Sequence, residues 1–308
     1  MRDWLIERGI GEIRAILVEG DKIVEARVML DGQVAAGSVL KAKLTTVGRN
    51  AIAVAEGVEY LLPKGAPGVT QGAPLAIEIT REAIGTEGWK RPLARVTDEA
   101  PSSAAIIAGE ILPSTSTMFG EAGWPDLIEE ARSGIVSFAG GELRIVVTPA
   151  MTLIDVDGAL PPGGLAAAGA RASAGAIRRH GIGGSIGIDL PTDGGKPARH
   201  AAVDAIDATL PQPFERTAVN GFGFIQIVRP RRHASLFELA LDRPAFEARA
   251  LLRLASRMTG RIELVAHPSL IAAVQVDWAD QLAARIGGTV TLRADPRLGI
   301  AGGYAVSR

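Results

Sequence analysis

The stretch TLIDVDGALPPGGLAAAGARASAGAIRRHGIGGSIGIDL, residues 152–190, decides how this chain is read. It opens and closes on short apolar runs, TLIDVDG and GSIGIDL, and each run ends by placing aspartate where a strand would meet a loop. Side chains alternate along a strand, so Asp155 and Asp157 share one face while Ile154 and Val156 take the other. In the second run Gly187 and Asp189 oppose Ile186 and Ile188. Between the runs, LAAAGARASAGAIRRHG (165–181) is an alanine-rich helix ending in glycine. If that helix is a crossover between two parallel strands, all three carboxylates emerge at one sheet edge, where α/β proteins place their ligands.

Oxygen-only donors suit Mg²⁺, with Mn²⁺ as the alternative; such ions take one or two protein carboxylates together with water and substrate phosphate. An ion held there would activate a water and stabilise charge on a phosphodiester during in-line displacement. The competing reading of Asp155, Asp157 and Asp189 is structural, as helix N-caps or loop hydrogen-bonders. GIGGSIG (181–187) has glycine spacing close to a dinucleotide fingerprint, but its glycines follow a helix and precede a strand, the reverse of the required order. A helix C-cap accounts for Gly181 without a ligand.

Moving outward, PARHAAVDAIDATL (197–210) reads as a helix and GFGFIQIVRP as a strand that runs into the basic segment VRPRR (228–232). Guanidinium forks at a strand end are good phosphate clamps, or else an exposed basic loop. From Arg171 to Ser235 there are nine Arg or Lys against five acids, although the whole chain carries a net charge of −1. Upstream, GIVSFAGGELRIVVTPAMTLIDVDG is a hairpin around Gly140–Gly141 leading into a further strand, and PDLIEEARSG is a short capped helix. Residues 99–124 are rich in Ser, Pro and Gly and read as a linker between domains. Before them, alternating segments punctuated by GD, DG, GRN and PKGAPG form five or six antiparallel strands, which predicts an OB-type barrel over 1–98. Its stacking aromatics would be Tyr60 and Trp89, beside the basic residues Lys41, Lys43, Lys90 and Arg91. Past 240 the pattern is helix, strand, helix, strand, strand, a small α/β subdomain over 241–308.

With 308 residues, 47% of them hydrophobic, the chain can bury a sizeable core. It has no cysteine, which excludes disulfides, thiolate zinc sites, iron–sulfur clusters and a cysteine nucleophile. Its four histidines are widely spaced, against a multi-histidine metal cage. No apolar run is long enough to span a bilayer, and MRDWLIERGIGEIR is too charged for a signal peptide, so a cytoplasmic, non-membrane location is the expectation.

From GGELRIVVTPAMTLIDVDG through GIGGSIGIDL and PARHAAVDAI to NGFGFIQIVRPRRHASL, the order of segments resembles the ribonuclease E/G family of bacterial endoribonucleases. The N-terminal strands are similar to that family's RNA-binding barrel. The resemblance implies a DNase I-like catalytic domain over 125–240, with Asp155 and Asp189 as catalytic metal ligands and Asp157 standing where the family usually has asparagine. It implies cleavage of single-stranded RNA, with Lys90 matching a basic contact of the family; Lys43, Arg199, Arg229, Arg231 and Arg232 are the further RNA contacts expected from their charge. Ala53 and Leu61 fall where the family has stacking aromatics, and the segment before Pro125 is too short for its 5′-monophosphate sensor. Cleavage is therefore expected to be independent of the 5′ end. The zinc-linking cysteines are absent, so a homodimer is expected to use the C-terminal subdomain rather than zinc. The rival expectation is a non-catalytic RNA-binding protein of the same fold.

Overall fold

A computed structural model describes residues 4–85, 90–104, 107–192 and 194–308. Strands β1 (Trp4–Arg8), β2 (Glu12–Glu19) and β3 (Lys22–Leu30) form an antiparallel meander. The chain then leaves this sheet for β4 (Val39–Thr46), β5 (Ala51–Ala55), β6 (Val58–Leu62), β7 (Pro74–Arg81) and β8 (Leu93–Thr97). These five strands close into a barrel in the order β4-β5-β6-β8-β7, with β6 and β8 parallel and the other pairs antiparallel. Ala42, Leu44, Ala53, Leu62, Ile77 and Ile79 fill its interior.

The chain returns as β9 (Gly109–Ile111), which pairs parallel with β1 and completes a sheet in the order β3-β2-β1-β9. The barrel is thus inserted within the first sheet rather than built from all of residues 1–98. The predicted boundary fails because the first three strands have the same alternating pattern as barrel strands, and only their partners distinguish them. Entry and exit are tied together: Val39 and Ser102 exchange backbone hydrogen bonds of 2.8 and 3.0 Å. The predicted linker 99–124 is also corrected, since it supplies β9, the buried Leu112, and α1 (Met118–Glu121) with its buried Phe119.

Helix α2 (Trp124–Ser133) starts with Pro125 in its first turn, as the sequence predicts, and packs with α1 on the first sheet. Next come β10 (Ile135–Phe138), β11 (Gly141–Val147), β12 (Thr152–Gly158), α3 (Pro162–Arg179), β13 (Gly184–Asp189), α4 (Gly195–Thr209), β14 (Glu215–Arg216) and β15 (Phe224–Arg229). They build a six-stranded sheet in the order β10-β11-β12-β13-β15-β14, in which β12–β13 is the parallel pair. Helix α3 is the crossover between those two strands. Its small residues let it sit close to the sheet and to α4: a Cβ added at Gly169 would come within 2.3 Å of Val156, and Ala170, Ala174, Ala202 and Ala205 are buried around the helix pair. The helix ends in a Schellman turn, with the Gly181 N–H donating to Arg178 O at 3.2 Å and the Ile182 N–H to Ile177 O at 2.9 Å. That accounts for the first glycine of GIGGSIG, which closes a helix instead of opening one.

The remaining elements are α5 (Leu236–Leu241), α6 (Arg243–Ala255), β16 (Ile262–Ala266), α7 (Pro268–Ala273), α8 (Val276–Ile286), β17 (Val290–Ala294) and β18 (Tyr304–Ser307). A three-stranded sheet β17-β16-β18 carries its own apolar cluster, which Ile10 from the first sheet joins. The one long helix expected after β16 is two, separated at Val274–Gln275. The molecule is a mixed α+β protein containing a closed five-stranded barrel. Among the described residues no helix is long and apolar enough to cross a membrane.

Candidate functional site

Both runs that open the sequence argument lie side by side at the centre of the six-stranded sheet. Helices α3 and α4 cover one face, where Ile154, Val156, Ile186 and Ile188 are buried. Leu153, Asp155 and Asp157 point to the opposite, open face. Across the strands Arg144, Asp155, Asp189 and Phe224 form one row, and Glu142 pairs with Asp157 at the end of the hairpin. The next row is Val146, Leu153, Gly187 and Gln226. Because β12 and β13 are parallel, Asp155 and Asp189 are register partners, about 5 Å apart at the backbone. Helices α3 and α4 both begin at this same edge.

The acids are exposed and mutually repulsive. The Asp155 carboxyl is held above its ordinary range, first by partial burial and then by the charges of Asp157 and Asp189, with the Val156 N–H and Arg144 acting in the other direction. Arg144 lies 2.5 Å from Glu142 and 3.7 Å from Asp157, leaving Asp155 and Asp189 as the less compensated pair. Among the described residues no three His, Asp or Glu side chains make a ready metal cage. What the sheet offers is two adjacent hard oxygen donors with excess negative charge, a set that suits a hydrated Mg²⁺ or Mn²⁺. Asp157, partly engaged by Arg144, stands one alternation further along β12.

The predicted cations divide into two groups. Arg199 lies in the early part of α4, at the aspartate edge. Arg229 instead pairs with Gly184, at the opposite end of β13, about 16 Å from Asp189 along the strand. Strand β15 is antiparallel to β13, so the strand end carrying VRPRR points away from the carboxylates, and a phosphate clamp there would lie apart from the aspartate pair. Arg229 donates to Ile182 O at 3.2 Å, and Arg231 pairs with the buried Glu238. Arg232 is exposed, and its carbonyl receives the Glu82 N–H at 2.8 Å. Lys90 donates to Pro149 O at 3.0 Å, tying the barrel side to the β11–β12 turn, and burial followed by Arg231 and Arg81 lowers its pKa. Arg81, Lys90 and Arg231 therefore form a basic junction at the end of the sheet remote from the aspartates. Lys43 is exposed on β4.

The barrel positions change meaning too. Tyr60, expected as a stacking aromatic, is buried in the barrel core, and Ala53 is wholly interior, so neither presents a surface to a base. Trp89 lies outside the described residues.

Two features escape the sequence argument. Arg144 and Glu142 share the face of the aspartates, which the alternation in GELRIVV would have shown once the hairpin register was known. Phe222 and Phe224 bracket the glycine before β15, and Phe224 is the register partner of Asp189. No protein-family profile matches the chain, and no curated protein matches it.

Proposed function

We propose that this protein is a metal-dependent endoribonuclease that cleaves phosphodiester bonds of single-stranded RNA without regard to the 5′ end. On this reading the inserted barrel is of the OB type, the six-stranded sheet with its two helices is a DNase I-like catalytic domain, and the chain is a short, diverged relative of the ribonuclease E/G family. The observation that carries it is the pairing of Asp155 with Asp189 across parallel strands, at the edge where both following helices begin. Five strands in the order first-second-third-fifth-fourth, with the third and fifth parallel, fit the OB reading.

A divalent ion bound by Asp155 and Asp189 would supply a polarised water and offset charge on the phosphodiester. Asp155 and Asp189 would hold the ion, since their strands are locked in register; Asp157 adds negative potential from the next position on the same face. Arg144 orients Glu142 and Asp157 and limits the local excess of negative charge that would otherwise repel a phosphate. Arg199, early in α4 at the same end of the sheet, would be the contact for a phosphate arriving over that edge. Lys90, at the remote junction with Arg81 and Arg231, and the exposed Arg232 would meet the RNA backbone some nucleotides away.

The direct experiment incubates the protein with a single-stranded RNA in Mg²⁺ and in EDTA, beside Asp155→Asn and Asp189→Asn. Cleavage in Mg²⁺ alone, lost in both variants, is the expected result. Cleavage that persists in the double variant defeats the proposal. The interior placement of Tyr60 and Ala53 favours one second reading, a non-catalytic RNA-binding protein, which binding without cleavage would establish.

A further inference from the structure

Two phenylalanines at the aspartate end of the sheet, Phe224 on the open face and Phe222 in the turn before it, are not used by the mechanism above. Phe222 is 84% exposed although it is a large apolar side chain. Its backbone is tightly determined. The Asn220 side-chain oxygen accepts from the Phe222 N–H at 2.9 Å and the Phe224 N–H at 3.0 Å. The Asn220 N–H donates to Phe224 O, and the Gly223 N–H donates back to Asn220 O. Gly223 has a φ of +83°, and a Cβ there would lie 2.1 Å from Leu190 O, so only glycine allows the turn to press against the end of β13. Phe222 is thus an exposed ring on a turn whose backbone is fixed against the end of β13, next to Asp189.

Phe224 continues the same surface. Its ring passes over Gly187, where an added Cβ would meet Phe224 Cζ at 2.4 Å and Leu153 Cδ2 at 3.0 Å. The absent side chain at Gly187 therefore makes room for the Phe224 ring against the sheet beside Leu153, one row from Asp155. Val146, Leu153 and Val228 extend this apolar surface, at 57%, 38% and 47% exposure. Its two ends differ in charge: carboxylates lie at one, and the Arg81–Lys90–Arg231 junction at the other.

We infer that Phe224 on the open sheet face and Phe222 in the turn leading to it form a nucleobase-stacking platform, taking the unpaired bases of single-stranded RNA next to the phosphate that a metal ion at Asp155 and Asp189 would hold. This rests on the ribonuclease reading and supplies a grip for bases that the barrel interior does not. A sheet face carrying aromatic rings is a general way of holding unpaired bases, and stacking tolerates any sequence because every base has a π-face. The gradient of charge favours nucleic acid over an apolar protein segment: phosphates leaving the aspartate edge would run towards the sheet end that carries the basic junction, the end where Gly184 and Arg229 lie about 16 Å along the strand from Asp189.

The test uses the full chain carrying Asp155→Asn and Asp189→Asn, which removes cleavage, and measures binding of a fluorescent ten-nucleotide single-stranded RNA by anisotropy. Adding Phe222→Ala should weaken binding about tenfold, the size of one lost base stack, and Phe222→Trp should restore it. An oligomer with the same phosphates and abasic sugars should bind both proteins equally and weakly. Equal affinity of Phe222→Ala and its parent for intact RNA overturns the platform while leaving the ribonuclease proposal standing. Equal losses on intact and abasic oligomers also overturn it, because the ring would then act on the backbone. Failure of the unsubstituted chain either to bind or to cleave RNA defeats both proposals together.

Discussion

Asp155 and Asp189 are register partners on adjacent parallel strands, with Asp157 on the same face two residues further along. Partial burial, followed by the charges of Asp157 and Asp189, raises the Asp155 carboxyl, so the folded protein binds its proton more readily than the unfolded chain does. The stabilising contribution of that proton is present at low pH and lost as pH rises through the folded value. In metal-free buffer at neutral pH, Asp155→Asn is therefore expected to melt at a higher temperature than the unsubstituted protein, with the gap closing on acidification. Adding Mg²⁺ should raise the melting temperature of the unsubstituted protein and leave Asp155→Asn nearly unmoved; differential scanning calorimetry reads both effects.

His233 behaves in the opposite sense. Burial, followed by the charge of Arg27, lowers its pKa from 6.5 to about 4. The unfolded chain takes up a proton below pH 6.5 while the folded protein does not, so stability present above that value is lost as pH falls towards 4. The loss should be on the order of 3 kcal/mol. His233→Gln should flatten that part of the pH profile of urea midpoints.

A buried ionic network joins the first sheet to the C-terminal subdomain through Glu12. Its carboxylate pairs with Arg249 at 3.3 Å, with Arg253, and with Arg14 at 3.9 Å, and Arg14 is also stacked 4.7 Å from both Phe119 and Trp124. Burial lowers the Arg14 pKa to about 10. Glu12→Ala leaves three largely buried guanidinium groups short of negative charge and should cost about 3 to 5 kcal/mol in chemical denaturation.

Gly187→Val tests the close approach of Phe224. The new side chain would displace that ring or push against Leu153, and overpacking of this kind costs about 1 to 3 kcal/mol. Urea unfolding measures the cost.

Much of the candidate site was legible because its information is local. Two-residue alternation in TLIDVDG and GSIGIDL assigns Asp155, Asp157 and Asp189 to one face, and the glycine-terminated helix between them implies the parallel pairing that is found. The distance of the basic segment from the aspartates was not legible because strand direction decides it: Arg229 follows an apolar run just as Asp189 does, yet β15 runs antiparallel to β13. The barrel limits were missed for a similar reason. Glu12–Glu19 and Val39–Thr46 have the same periodicity but join different sheets, and Gly109–Ile111 is a three-residue exposed strand with no apolar signal. Phe222 carries no pattern of its own, and its exposure arises from a turn set by Asn220 and Gly223.

The position of the barrel bears on how the chain reaches its native state. Trp4 and Gly109 are partners in one sheet although roughly a hundred residues separate them, and closing so long a loop between flexible ends is slow and entropically unfavourable. A barrel that forms early brings Val39 and Ser102 into contact and shortens the remaining search to two brief tethers. Substitutions that loosen the barrel core should then retard completion of the first sheet, even though barrel and sheet have separate interiors.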